Sequence, residues 1–309
     1  MRLIFMGTPE FAVPSLEALV DAGYHPLAVV TGPDRHRGRG RKLQPTAIKD
    51  VAQGLGIDTI IQPQSVKDPE FIDQIHSLEC DIQVVVAFRI LPHEVFSSAK
   101  LGAFNLHSSL LPKFRGAAPI NRAIMAGAIK TGVTTFFIKD KVDTGNVILQ
   151  WPTTIPPNET AGSLHDRLAQ LGARAVVETT RRIVKGQLTQ QIQDDTLATS
   201  APKIFREDCQ IQWRQSSQQV HNHCRGLSPY PGAWTRWNAK TLKILGTKIS
   251  DGIGLPSTVL KSDGQLIVAC QAGALEITHL QAPGQRVLSA KEFLNGNPIS
   301  IGSMLSEHD

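Results

Sequence analysis

Apolar residues change period along this chain, and the change divides it into two parts. Leu3-Ile4-Phe5-Met6 is a short continuous apolar run that stops at Gly7-Thr8-Pro9. Runs of this kind, apolar at every position, are expected of strands covered on both faces. Residues 14–22 follow with Leu16, Leu19 and Val20 spaced for one helical face. Residues 27–31 predict a second strand, 46–55 a helix, and 57–61 and 82–87 two further strands, the last containing Val84-Val85-Val86. Strand and helix alternating in this order predict an open, mostly parallel α/β sheet. Ligands of such sheets sit beyond the carboxyl ends of the strands. The segments to inspect are therefore Gly7-Thr8-Pro9, residues 31–44, Phe88-Arg89 and the stretch after Ala103.

Helical spacing returns at 160–171 and 173–184, where Ser163 with Asp166 resembles a helix start. Residues 190–202 are polar and aperiodic, as a linker would be. Residues 216–224 suit a helix. Short alternating runs broken by glycines then follow at 241–245, 257–260, 266–269 and 275–280. That pattern predicts a small β-barrel like the oligonucleotide/oligosaccharide-binding fold. The expected organisation is a catalytic domain over 1–189, a linker over 190–203 and a barrel over 204–309. No internal repeat or low-complexity tract interrupts it.

The 309 residues are ample for two domains, and 41% hydrophobic content supplies two cores. No stretch approaches the roughly 20 apolar residues of a membrane helix. The four cysteines form no Cys-x-x-Cys pair, so a zinc site or disulfide framework is not expected and a reducing cytoplasm is. The formal net charge of +5 is compatible with a polyanionic partner, but where the charge sits matters more.

Two segments carry candidate chemistry. In Phe104-Asn105-Leu106-His107-Ser108-Ser109-Leu110-Leu111-Pro112-Lys113-Phe114-Arg115-Gly116, Asn105 and His107 are two apart and share a side in extended chain. An amide donor and an imidazole could together flank one carbonyl oxygen. The second segment is Asp140-Lys141-Val142-Asp143-Thr144-Gly145. Taken singly, Asn105 reads equally as a strand-end cap, His107 as a satisfied structural histidine and Asp143 as turn chemistry.

In combination the segments resemble the folate-dependent formyltransferases, whose hallmark is Asn-x-His-x-Ser-Leu-Leu-Pro-x-(aromatic)-Arg-Gly with a downstream Asp-Thr-Gly. The resemblance implies a Rossmann-like formyltransferase fold, with Asn105, His107 and Asp143 as the catalytic group. It implies 10-formyltetrahydrofolate as co-substrate, lying against Ser109, Leu110, Leu111 and Pro112, and no metal. The family's pterin loop, Ala-(aromatic)-Gly-x-Ile-Leu-Pro, corresponds to Ala87-Phe88-Arg89-Ile90-Leu91-Pro92. It is one residue shorter here, with Arg89 where the glycine would fall. Phe88, Arg89 and Ile90 are candidate pterin contacts on a somewhat different path; core packing is an equal reading of Phe88 and Ile90.

The formyl acceptor has to be argued from other segments. Residues 31–45 pack Arg35, Arg37, Arg39, Arg41 and Lys42 into eight residues with glycines between and no acid. That is a polyanion footprint. It resembles the insertion Gln-Pro-Asp-Arg-x-x-Gly-Arg-Gly-x-Lys-Leu of the family's tRNA-acting members, with Gly32 in place of the glutamine. There the loop enters the tRNA acceptor stem. The N-terminal Gly7 to Ala12 is similar to the same members and is not a Gly-x-Gly-x-x-Gly fingerprint, which disfavours a nicotinamide cofactor. So are Arg225 to Trp234 and the closing segment 280–296. Lys203, Arg206, Lys240, Lys243 and Lys248 are candidate phosphate contacts, or solvated surface charges. The resemblance implies methionyl initiator tRNA as acceptor and a monomer. A sugar-nucleotide or glycinamide ribonucleotide acceptor, and an RNA-binding relative without catalysis, are the alternatives. The basic loop argues against the first two, and intact Asn105, His107 and Asp143 against the last.

Overall fold

The computed structural model describes residues 1–37, 42–238 and 240–305, Arg37 by its backbone only. In chain order, the elements to the middle of the chain are β1 (Leu3–Gly7), α1 (Val13–Asp21), β2 (Ala28–Val30), β3 (Arg35–Arg37), β4 (Lys42–Gln44), α2 (Ala47–Gly54), β5 (Ile60–Ile61) and α3 (Pro69–Ser77). They continue with β6 (Ile82–Val86), α4 (His93–Phe96), β7 (Ala103–His107), α5 (Pro119–Met125), β8 (Lys130–Phe137), β9 (Val147–Thr154) and α6 (Ala161–Val184). The remainder comprises α7 (Ser217–Gly226), β10 (Ala233–Trp237), β11 (Lys240–Ser250), β12 (Val259–Ser262), β13 (Leu266–Ala269), β14 (Ala274–Gln281), β15 (Leu288–Ser289) and α8 (Ala290–Gly296). They fall into two compact units. The first holds Met1–Gly116, Thr131–Thr153 and His165–Ser200; the second holds Ala117–Lys130, Thr154–Leu164 and the chain from Ala201.

The first unit is built on a seven-stranded sheet in the order β5-β2-β1-β6-β7-β8-β9. From β5 to β7 neighbouring strands are parallel, and β8 runs antiparallel to β7. This is the expected open, mostly parallel sheet. β1 and β6 are buried at every position, which explains their uninterrupted apolar sequence. Ile4, Met6, Val30 and Val85 face a core completed by Phe71 and Ile75 of α3 and by Val95 and Phe96 of α4. Leu3, Phe5, Val84 and Val86 are equally buried and point the other way by strand alternation. The chain runs outward from β1 through β2 to β5, then returns to β6 on the far side of β1. The switch between β1 and β6 opens a crevice beyond their carboxyl ends. Gly7-Thr8 and Ala87-Phe88-Arg89 therefore stand at the natural ligand position of this fold.

Two sequence expectations change on folding. The helical stretches 160–171 and 173–184 are one 24-residue helix, α6. Gly172 is not a break. A Cβ there would stand 2.5 Å from Leu106 Cδ2, so glycine lets α6 pack close on β7. The helix also starts earlier than Ser163 with Asp166 suggested. Thr160 Oγ1 accepts the Ser163 amide at 3.2 Å, and Ser163 Oγ accepts the Thr160 amide at 3.1 Å.

In the second unit six antiparallel strands form a sheet in the order β10-β11-β14-β13-β12, with β15 beside β14. Its inward alternation of Leu242 and Ile244, Leu266 and Val268, Leu275 and Ile277 joins Val220 and Cys224 of α7 and the fully buried Trp213 in one core. Ser216 and Gln219 close a capping box at the start of α7. This six-stranded antiparallel sheet, sharing its core with α7, is consistent with the small barrel expected from the glycine-broken pattern. All four cysteines are buried and free, and no helix among the described residues is long and apolar enough to cross a membrane.

Candidate active site

β7 carries the first two candidate residues. Asn105 pairs with Val85 of β6 and Phe136 of β8, and His107 pairs with Thr134. Alternation puts both side chains on the face opposite Phe104 and Leu106. His107 is 6% exposed. Its Nε2 lies 2.8 Å from the Phe114 carbonyl, which can only accept, so Nε2 carries a proton. Phe114 has φ of +60°, an unusual conformation for a bulky residue, and the turn aims its carbonyl back at the ring.

Asp143 arrives from the turn between β8 and β9. It is 9% exposed, and its Oδ2 lies 3.7 Å from His107 Nδ1. That is ion-pair distance but beyond hydrogen-bond length. The same Oδ2 accepts the Gly116 amide at 2.8 Å, so the carboxylate is already anchored on the glycine that ends the hallmark motif. Asp143 has φ of +55°, which aspartate tolerates better than most residues. Two residues on, a Cβ at Gly145 would fall 1.5 Å from the Phe137 carbonyl oxygen, so no side chain fits there. Asp143-Thr144-Gly145 is thus a shaped turn: aspartate at the left-handed position, glycine where the backbone meets β8.

Periodicity alone gave no hint of what holds this turn. The stretch read as a linker forms short bridges with the first unit, Gln191 to Val147 and Ser200 to Arg115. Gln193 Nε2 donates to the carbonyls of Asp143 at 2.9 Å and Gly145 at 2.8 Å. Its Oε1 accepts from Arg115 at 2.7 Å, and Arg115 also pairs with Asp195 at 2.7 Å. Thr199 Oγ1 accepts the Phe114 amide at 2.8 Å. Gln193 and Thr199 therefore steady both the Asp143 turn and the Phe114 turn that orients His107. Only the arginine of the hallmark motif was a sequence signal toward this network.

The Ser109–Pro112 turn is held from below. Thr134 Oγ1 donates to the Ser109 carbonyl at 2.6 Å and accepts the Leu111 amide at 3.1 Å, while Gln150 Nε2 donates to the Leu111 carbonyl at 2.6 Å. Ser109 is fully buried, its hydroxyl given to the Lys113 carbonyl at 2.6 Å, and Leu111 is buried; Leu110 and Pro112 are half-buried. At the end of β6, Phe88 is half-buried against the core and Ile90 is 72% exposed. Arg89 donates to the carbonyls of Gln64 at 2.8 Å and Pro63 at 2.9 Å. Burial, and secondarily the charge of Arg35, lower its pKa below the usual arginine value. The arginine that replaces the family's glycine thus ties the strand end of β6 to the segment after β5.

The basic loop is partly a hairpin. β3 and β4 pair antiparallel with Arg35 opposite Gln44 and Arg37 opposite Lys42; Arg39 and Arg41 lie outside the described residues. Arg35 and Lys42 are exposed. The base of the hairpin is braced. Asp34 accepts from Gln62 at 2.6 Å and pairs with Lys49 at 2.7 Å, and both contacts lower its pKa. Gln62 also donates to the Gly32 carbonyl at 2.8 Å. The structure therefore gathers Asn105, His107 and Asp143 in one place, with the Ser109 turn directly after the same strand. It sets Arg35 and Lys42 on a separate projection at the crevice side of β2.

The sequence profile described as formyl transferase matches residues 1–180, and that of the formyl transferase C-terminal domain matches residues 203–298. The chain belongs to the formyl transferase family. Within the family it is 46% identical over 304 residues to a methionyl-tRNA formyltransferase of Chlorobium phaeovibrioides, covering 96% of this chain and 95% of that one. It is 44% identical over 309 residues to a methionyl-tRNA formyltransferase of Moorella thermoacetica, covering 99% of each. Among solved structures the fold is shared with an N-formyltransferase from Helicobacter canadensis in complex with folinic acid and dTDP-3-aminofucose (TM-score 0.67, 19% identity, 91% of this chain and 99% of that one). It is shared also with WlaRD, a sugar 3N-formyl transferase (TM-score 0.69, 18% identity, 93% and 99%).

Proposed function

We propose that this chain transfers the formyl group of 10-formyltetrahydrofolate to the α-amino group of methionyl initiator tRNA. The observation that carries the reading is the meeting of His107 and Asp143 beside Asn105 at a strand end. Near-full-length similarity to methionyl-tRNA formyltransferases supports the acceptor.

The geometry suits attack of an amine on a formyl amide. The amine nitrogen forms a bond to the formyl carbon, and the carbonyl oxygen becomes an oxyanion. The Asn105 side chain has no hydrogen-bond partner among the described residues and can donate to that oxygen. His107 keeps Nε2 on the Phe114 carbonyl, which leaves Nδ1 to donate. Asp143, 3.7 Å from Nδ1, balances a doubly protonated ring. The gap is wide enough that the two groups do not saturate each other. Preorganised donors at a developing oxyanion are commonly the largest contribution to acyl transfer. The proton shed by the attacking amine passes through water to Asp143. The oxyanion then re-forms its carbonyl as the carbon–N10 bond breaks, and Asp143 returns the proton through water to N10, which leaves as an amine. The crevice at the ends of β1 and β6, edged by Phe88, Arg89, Ile90 and the Ser109–Pro112 turn, would receive the carrier.

The deciding experiment is a formylation assay with 10-formyltetrahydrofolate and methionyl initiator tRNA, run beside glycinamide ribonucleotide and an amino-sugar nucleotide. Product from the tRNA alone is expected. Equal or better use of an amino-sugar nucleotide would overturn the acceptor. The hairpin gives a further expectation. Arg35→Gln with Lys42→Gln should raise the acceptor KM and flatten the plot of log KM against log salt by about two contacts' worth, with kcat unchanged. An unaltered slope would remove the hairpin from the tRNA interface.

A further inference from the structure

The second unit contains a cleft of about 710 Å³ that the catalytic chemistry does not use. It lies among the segment Ile204–Arg206, the turn Tyr230–Gly232 and the ends of β11 and β14. Its volume suits a small planar ligand or one or two nucleotide units. Three of its lining residues are aromatic: Phe205, Tyr230 and Trp234. Two are cationic, Arg206 and Lys243, and none of the described lining residues is acidic. Tyr230 is 81% exposed and Phe205 59% exposed.

These aromatic faces are accompanied by charge. The Arg206 guanidinium lies 5.9 Å from the centre of the Trp234 ring, and Lys203 Nζ lies 5.7 Å from that of Phe205. The indole is fixed at its edge, since Trp234 Nε1 donates to the Arg206 carbonyl at 3.0 Å. Lys243 Nζ donates one proton to the Pro231 carbonyl at 2.8 Å, which leaves its other two for a ligand. Rings open to solvent, cations beside them and no carboxylate are what a single nucleic-acid strand requires: flat surfaces for bases and positive charge for phosphates. An apolar peptide would need the rings but not the excess of cations.

We propose that this cleft holds an unpaired nucleotide of the RNA acceptor, its base stacked on Tyr230 and its phosphate paired with Arg206 and Lys243. The proposal rests on the reading that the acceptor is an RNA, and it adds a single-strand contact to the basic hairpin of the first unit. Stacking on one ring tolerates any base, so this contact contributes affinity rather than sequence choice.

The test uses the full chain without folate or aminoacyl ester. The probe is a short single-stranded oligoribonucleotide carrying a fluorescent purine analogue, and the comparator is a blunt duplex of the same composition. Wild type should bind the strand with a change in the analogue's emission. Tyr230→Ala should weaken binding by about tenfold and abolish that change, and Tyr230→Phe should retain both. Arg206→Gln with Lys243→Gln should lower the salt slope by about 1.4, the share of two phosphate contacts on a single strand. Because Tyr230 is exposed, its replacement leaves the core intact. Binding by Tyr230→Ala equal to wild type, or a blunt duplex that competes as well as the strand, overturns the proposal. Normal tRNA formylation together with either of those results would leave the reaction standing and remove only the cleft. Tyr230-dependent strand binding without formylation would do the reverse.

Discussion

Asp143→Asn is expected to lower kcat for formyl transfer by about 10²–10⁴-fold, with the acceptor KM unchanged. Asparagine keeps the size of the side chain and, through Oδ1, can still accept the Gly116 amide that Asp143 Oδ2 receives at 2.8 Å. It removes the negative charge 3.7 Å from His107 Nδ1 and the acceptor for the amine's proton. The loss therefore reports charge rather than collapse of the turn. His107→Ala should fall by a comparable factor. The double variant should be little worse than the poorer single one, because residues that act as a unit do not contribute additively. Single-turnover rates at saturating folate, beside acceptor KM values, make the check. Near-normal turnover in both single variants would refute the roles assigned to this pair.

Gly145→Ala should be nearly as damaging by a different route. The added methyl group would stand 1.5 Å from the Phe137 carbonyl oxygen, a backbone atom of β8 that cannot swing away. The turn must move instead. Overpacking of this kind costs about 1–3 kcal/mol or more of stability. The larger consequence is for catalysis. Gln193 ties the carbonyls of Asp143 and Gly145 together, so displacement at 145 carries the carboxylate with it. A misplacement of about 1 Å can cost about 10²-fold in rate. A lowered Tm together with a reduced kcat is the expected pair of readings. Wild-type kcat in a folded Gly145→Ala protein would show that the position of the turn does not matter to the reaction.

Much of the first unit's fold was legible because burial on both faces leaves a mark that needs no context. Val84-Val85-Val86 reads as a covered strand wherever it occurs, and β6 is buried at each of these positions. The alternating, glycine-broken runs of the second unit likewise predicted its antiparallel sheet. Boundaries were less secure. Gly172 read as a pause between helices because sequence records a missing side chain but not what approaches the space. Leu106 of β7 fills it. The hairpin strands β3 and β4 were hidden among glycines and arginines, residue types that suit a loop equally well.

The candidate site divides along the same line. Asn105 and His107 are two apart, and the strand's period alone puts them on one face. The types of residue present, an amide, an imidazole, a carboxylate and a cluster of arginines, are written in the chain and bound its chemistry. Distance is not. Asp143 reaches within 3.7 Å of His107 across 36 residues because β8 lies beside β7 and a left-handed turn aims the carboxylate back. Gln193 and Thr199 sit in a stretch with no period and acquire their roles only when that stretch lies against the turns it steadies. The cleft is drawn from four separated segments, each unremarkable by itself. Local chemistry and period are properties of neighbours along the chain, and one sequence displays them. Convergence depends on how strands are ordered and how closely they pack, and that is decided only when the whole chain has folded.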